Sequence, residues 1–135
     1  MSDFLEDASL DHNLGVSELT YQSGGMYLAL FIADPTDANI TANEVDVVVD
    51  DTAYARQLIT FSAASGGESL NANVQTFAAV VYGSGAAPYN ATHIGVYDAI
   101  TGGNLRYHVP LVASVNRLTT KSMTFEVGTV KVKHT

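Results

Sequence analysis

The stretch ATHIGVYDAITGGNLRYHV, residues 91–109, gathers the side chains best able to do chemistry: His93, His108, Asp98, Arg106 and two tyrosines around Gly102-Gly103. If two strands brought them together, His93, His108 and Asp98 could form a metal site or an acid–base cluster. The spacing favours a plainer reading. Ile94 and Val96 alternate with His93, Gly95 and Tyr97, and after the turn Leu105, Tyr107 and Val109 alternate with Arg106 and His108, which is the pattern of a β-hairpin. Asp98, Thr101, Gly102, Gly103 and Asn104 are turn formers. The two histidines are therefore expected to be structural, and no catalytic, cofactor-binding or metal-ligating residue is assigned.

Other candidates are weaker. VDVVVDD (45–51) and DPTD (34–37) cluster aspartates of the kind calcium takes, but without EF-hand spacing or a Gly-x-Asp repeat. They read as solvated or salt-bridged loop acids. Asn39-Ile40-Thr41 and Asn90-Ala91-Thr92 match the glycosylation pattern by chance. The chain has no cysteine, so disulfides, thiolate zinc and cysteine nucleophiles are excluded. ASGGE and GSGAA lack the strand-to-helix elbow of a nucleophilic serine, and no Gly-x-x-x-x-Gly-Lys precedes a helix. The expectation is a protein that is not an enzyme.

The formal charge of −8, with six Lys and Arg in 135 residues, argues against nucleic acid as a partner. The charge is also segregated. Residues 1–55 hold eleven acids and no Lys or Arg, whereas residues 56–135 hold three acids and all six bases. Four of those bases, Arg117, Lys121, Lys131 and Lys133, fall in the last nineteen residues, so an acidic face on one protomer could meet a basic edge on the next. MSDFLEDASLDHNLG has no apolar h-region, and no apolar run approaches a membrane span, so neither a cleavable signal nor membrane association is expected.

The elements that position these residues follow from capping and period. Ser2 can cap a short helix with Asp3 and Glu6 in its first turn, and Gly15 after Leu14 can end it. Phe4, Leu5 and Ala8 share one side, a stripe too small to hold the helix alone, so it must dock on its own sheet or on another subunit. Seven β-rich segments follow: 26–32, 45–49, 54–61, 69–82, 92–98, 105–112 and 122–134, separated by loops of small, Gly, Asn and Thr residues. In the last of them Met123, Phe125 and Val127 take odd positions but Val130 and Val132 even ones, which predicts a kink at Gly128. Lys131 and Lys133 then suit a protected sheet edge. The fold expected is all-β, a jelly-roll-like antiparallel β-sandwich with a short N-terminal α-helix or arm. Residues 1–24 would form the helix and linker arm and residues 25–135 the sandwich, a single domain overall.

The order of these segments, from Leu10-Asp11-His12 through YLALFIADPTDA, AYARQLITF, THIGVYDA and TGGNLRYH to MTFEVGTVKVK, resembles a family of small bacteriophage structural proteins commonly labelled tail-fibre-like or minor virion proteins. The resemblance runs from about Leu5 to Lys133. It departs from the family at Val47-Val48-Val49-Asp50-Asp51, where a Gly-rich link is expected, and at Pro88-Tyr89-Asn90, where a tryptophan often stands. It implies a non-enzymatic virion component made in the host bacterial cytoplasm and contacting the major capsid protein or tail and neck proteins; the segregated charge suits symmetric neighbours, a homo-oligomer in trimers or on a symmetric ring. Capsid decoration is the first expectation and a tail or tail-fibre position the alternative. Phe4, Leu5, Arg117, Lys121, Lys131 and Lys133 are the candidate interface residues. Arg56, the first base in the chain, would sit among carboxylates and hold one through its planar fork. A carbohydrate-binding module is the rival from another class, with Tyr82, Tyr89 and Asn90 as glycan-contact candidates; lack of tryptophan weakens it.

Overall fold

Within the near-continuous apolar run of residues 26–32, Leu28–Phe31 are buried on both faces of a strand, whereas Ile32 lies beyond it and is exposed. In the computed structural model, which describes residues 1–19, 25–85 and 87–133, strand β1 (Met26–Phe31) lies inside a four-stranded antiparallel sheet between β2 (Gln57–Ile59) and β5 (Tyr89–Tyr97), with β6 (Leu105–Arg117) at the far edge of β5. Alternate residues of β1 and β5 serve two different cores. Leu28 and Leu30, opposite Val96 and Ile94, point into the main core with Val45, Ile59, Phe77 and Val80. Ala29 and Phe31, with Tyr97 and Leu105, form a second cluster on the other face. A strand buried on both faces cannot show the alternation of a half-exposed one.

The main core is closed by two short antiparallel ribbons, β3 (Glu68–Leu70) with β8 (Lys131–Lys133) and β4 (Gln75–Phe77) with β7 (Met123–Phe125). The architecture is all-β and sandwich-like, as expected. The segments at 69–82 and 122–134 are each split in two, and buried Asn71 is the reason. Its side-chain amide donates to Asn73 O, Gln75 Oε1 and Glu126 O at 2.9–3.0 Å, and its Oδ1 accepts the Val130 N–H at 2.9 Å. Opposite it the backbone turns through Gly128 at φ +80°, the kink expected there. Val127, expected to face inward with Met123 and Phe125, is exposed beside that turn.

Residues 45–49 are not a strand. The Asp46 carboxylate accepts the N–H groups of Val48 and Val49 at 2.7 and 2.9 Å, closing a turn that leaves Val47, Val48 and Val49 exposed. A local aspartate cap has overridden valine's strand propensity. The segment at 54–61 contracts to three strand residues, whereas β6 extends to Arg117. The β5–β6 pairing is the expected hairpin, with two irregularities. Tyr97 pairs with Leu105 but Val96 with Tyr107, so Arg106 is an extra residue. That bulge puts Leu105 on the opposite face from Tyr107, with which its spacing had grouped it. Between Pro110 and Val115 a second bulge sets four residues opposite Thr92; Leu111 still packs against the main core, while Val112 is fully exposed.

Helix α1 spans Asp3–Asn13, with Ser2 as its N-cap and Gly15 in the left-handed region after it. The Ser2 N–H donates to Arg106 O at 3.0 Å and its hydroxyl to Leu105 O, so the first turn is fastened to the edge of β6. Residues 20–24 of the expected linker, Ala86 and His134 lie outside the described residues.

Gly95 lies in β5 beneath the second cluster, where an added Cβ would come 2.7 Å from Phe31 and 2.8 Å from Leu105. Gly95→Ala should therefore lower unfolding free energy by about 1–3 kcal/mol through overpacking, measured by urea denaturation; an unchanged midpoint would contradict this packing.

Candidate functional site

Arg56 and the polar side chains of residues 91–109 singled out in the sequence are each held by partners inside the chain. Arg56 is the centre of the first group. Its Nε and Nη2 meet the two carboxylate oxygens of Glu44 at 2.8 and 2.7 Å, and its Nη1 donates to Ala99 O at 2.9 Å and Gly102 O at 2.7 Å. The guanidinium lies 3.5 Å above the Tyr97 ring. Tyr54 completes the group, donating its hydroxyl to Glu44 Oε1 at 2.8 Å. Burial opposes the Arg56 charge, but the Glu44 hydrogen bonds and charge outweigh it and raise the guanidinium pKa. Burial, aided by the Glu44 charge, pushes the Tyr97 phenol up to about 12. This is the local ion pair expected for Arg56. It forms one wall of a groove of about 510 Å³ reaching Val48 and Ile100.

Asp98 anchors the second group and does not meet the histidines. It accepts the Asn104 backbone and side-chain N–H groups at 2.7 and 3.1 Å and the Arg106 Nη2 at 3.0 Å. Burial works against its ionisation, yet the Asn104 and Arg106 hydrogen bonds prevail and hold its carboxyl below the ordinary value. Arg106 in turn stacks on the Phe4 ring at 4.9 Å, tying the helix to the hairpin turn.

His93 and His108 converge on the DPTDAN loop instead. His108 Nε2 is 2.8 Å from Asp37 Oδ1, while its Nδ1 lies 3.6 Å from Asp34 Oδ1. His93 Nε2 stands 4.0 Å from Asp34 Oδ2, and its Nδ1 is 2.9 Å from Thr92 Oγ1. The His108 hydrogen bond lowers the Asp37 carboxyl pKa. The histidines thus clip a loop to the sheet, and among the described residues no three His, Asp or Glu side chains form a group able to hold a metal ion. The 46–51 acids are similarly engaged. Asp50 Oδ2 accepts the Asp46 N–H at 2.9 Å, and Asp51 accepts from Ala53, Val81 and the Tyr89 hydroxyl at 3.0–3.1 Å.

The interface and glycan candidates fall into two sets. Arg117, 2% exposed, is consumed inside the chain, donating to Ala78 O at 2.5 Å, so it presents no charge to a neighbour. Leu5 is buried against the sheet edge, and Tyr89, 8% exposed, spends its hydroxyl on Asp51, so neither offers a contact surface. Tyr82 is half-buried. Phe4, Lys121, Lys131, Lys133 and Asn90 are exposed, although Lys131 and Lys133 both reach Glu68, at 3.4 and 3.5 Å. Sequence reasoning missed Glu44 and Asp51 as partners, and it missed Leu10 on α1 and Leu14 at its C-cap, which face solvent.

The fold is a sandwich-like β structure in which Arg56, Glu44, Asp98, Arg106 and the two strand histidines brace its own loops, while the lysines and most acids of the N-terminal helix stay exposed. The model of the podophage GP4 fiber I protein gp80 family matches residues 1–133, and the chain belongs to that family. It is a bacteriophage virion structural protein. Among curated proteins, none matches the chain. No described helix is long and apolar enough to cross a membrane.

Arg56→Lys keeps the charge but loses the fork that holds Glu44 and two carbonyls at once. It should cost about 2–4 kcal/mol in denaturant unfolding, and a loss within error of zero would refute the clamp. Asp98 has a depressed folded pKa, so its contribution is present above the ordinary aspartate value of 3.8 and is lost as pH falls through the folded value. Wild-type melting temperature should therefore drop on acidification through this range more steeply than that of Asp98→Asn; parallel curves would contradict the assignment.

Proposed function

We propose that the chain is a non-enzymatic building block of the phage tail, as a fibre-associated component, and that it works as a homo-oligomer contacting neighbouring tail components. The observation that carries this reading is the match over residues 1–133 to a family described as a fiber I protein. The geometry supports it. The His, Asp and Arg side chains of residues 91–109 brace loops and turns, and the Asp46, Asp50 and Asp51 carboxylates accept backbone N–H groups and the Tyr89 hydroxyl, so both groups are engaged in holding the fold. In this reading residues 1–24 act as the assembling arm and residues 25–135 as the rigid body of one domain.

Decoration of the capsid is the second reading. It is favoured by the segregation of eleven acids into residues 1–55 and all six bases into residues 56–135, a pattern suited to alternating neighbours in a trimer or ring. A glycan-binding role draws little support, since Tyr89 is buried and Tyr82 half-buried.

Gold-labelled antibodies against this chain, imaged on intact particles by electron microscopy, separate the readings. Labels clustered at the tail are expected; labels spread evenly over the head would overturn the tail assignment in favour of decoration.

A further inference from the structure

Helix α1 is fastened by its first turn, keeps Ala8 and Ser9 half-buried on its inner side, and turns its other residues beyond Leu5 to solvent. Leu5 is buried on the sheet side. At about 100° per residue, Leu10 falls about 140° and Leu14 about 180° around the helix from Leu5, and these two leucines are 56% and 69% exposed. Glu6, Asp7 and Asp11 stand on the same outward half, and residues 1–19 carry five acidic side chains and no Lys or Arg. An i, i+4 leucine pair ringed by carboxylates fits an apolar groove with a basic rim.

Such a groove lies on this chain between β6 and β8. It has a volume of about 240 Å³, a floor that includes Ile94, Val109, Val130 and Val132, and Lys131 and Lys133 at its margin. Both lysines are more than half exposed and share the single carboxylate of Glu68, which leaves one net positive charge there. The chain's own helix cannot turn its leucines inward without giving up its anchors. The Ser2 N–H bond to Arg106 O and the Asp3 N–H bond to Asp37 O, each 3.0 Å, hold the Leu5 side against the body.

We propose that the α1 arm of one copy docks into the β6–β8 groove of a second copy, Leu10 and Leu14 entering the apolar floor and Asp7 and Asp11 facing Lys131 and Lys133. The contact joins two different surfaces, so repeating it closes a ring or extends a row. It stands whichever position on the virion the chain holds.

The full chain, studied by light scattering across a concentration series, provides the test. Wild type should self-associate. Leu10→Ser with Leu14→Ser should weaken association at least about tenfold, as expected for losing two buried leucines. Lys131→Glu with Lys133→Glu should weaken it about tenfold in low salt and less in high salt. Mixing that groove variant with Asp7→Lys/Asp11→Lys should restore association between the two. All substitutions are at exposed positions, and circular dichroism checks each fold. A wild type that stays monomeric, an association indifferent to either pair of changes, or a mixture that fails to recover would each overturn the proposal. A monomer that nonetheless binds particles lacking this chain would assign the arm to another virion protein, leaving the virion role intact.

Discussion

The two central strands of the sheet, β1 and β5, are buried on both faces and so have to be covered twice. The ribbons β3–β8 and β4–β7 close the main core with Phe77, Val80 and Val130. On the other face the buried apolar cluster among the described residues is Ala29, Phe31, Tyr97 and Leu105, and loops seal it. The seal is electrostatic: the Arg56 guanidinium laid on Tyr97 and held by Glu44 draws in the hairpin turn through the carbonyls of Ala99 and Gly102. Such a pair adds little net stability over an apolar substitute, but it fixes geometry, because breaking it strands a buried charge. Asp98 with Arg106, and the histidines with Asp34 and Asp37, repeat that solution along the same face.

The residues that looked most like reactive chemistry are therefore the fasteners of this second face. Their partners lie far away in sequence, His108 with Asp37 and Arg56 with Gly102, which is why spacing alone could not pair them. Features set by near neighbours were legible. The Ser2 cap, the stop at Gly15, the hairpin turn at Asp98–Asn104 and the kink at Gly128 all depend on residues a few positions apart. Errors arose where a local rule met a stronger one. Asp46 capped a turn through valines that favour strand, Asn71 cut a long apolar segment into two ribbons, and the Arg106 bulge moved Leu105 to the opposite face from its neighbours. Arg117 read as a surface base because its partner, the Ala78 carbonyl, carries no sequence signal.

The body and the arm differ in how fully they are satisfied. Of the body's bases, the three arginines are spent inside the chain and the lysines line its outside. The edge of β6 is guarded at Arg106 by Ser2, and Pro110 in the same strand has no N–H to offer, so uncontrolled strand addition is discouraged. Helix α1, at eleven residues, is too short to be stable on its own surface alone and buries only Leu5. A scaffold satisfied within one chain beside a helix that exposes Leu10 is the contrast on which the proposed docking of the arm rests.

The claim that the body is complete in one chain and the arm only in the assembled particle can be measured by hydrogen exchange on the isolated protein and on intact virions. Amides of β1 and β5 should be strongly protected in both, whereas those in the later turns of α1, Asp7–Asn13, should exchange rapidly in the isolated chain and slowly in the virion. Equal protection of α1 in the two states would contradict the account, because the helix would then be held by its own body.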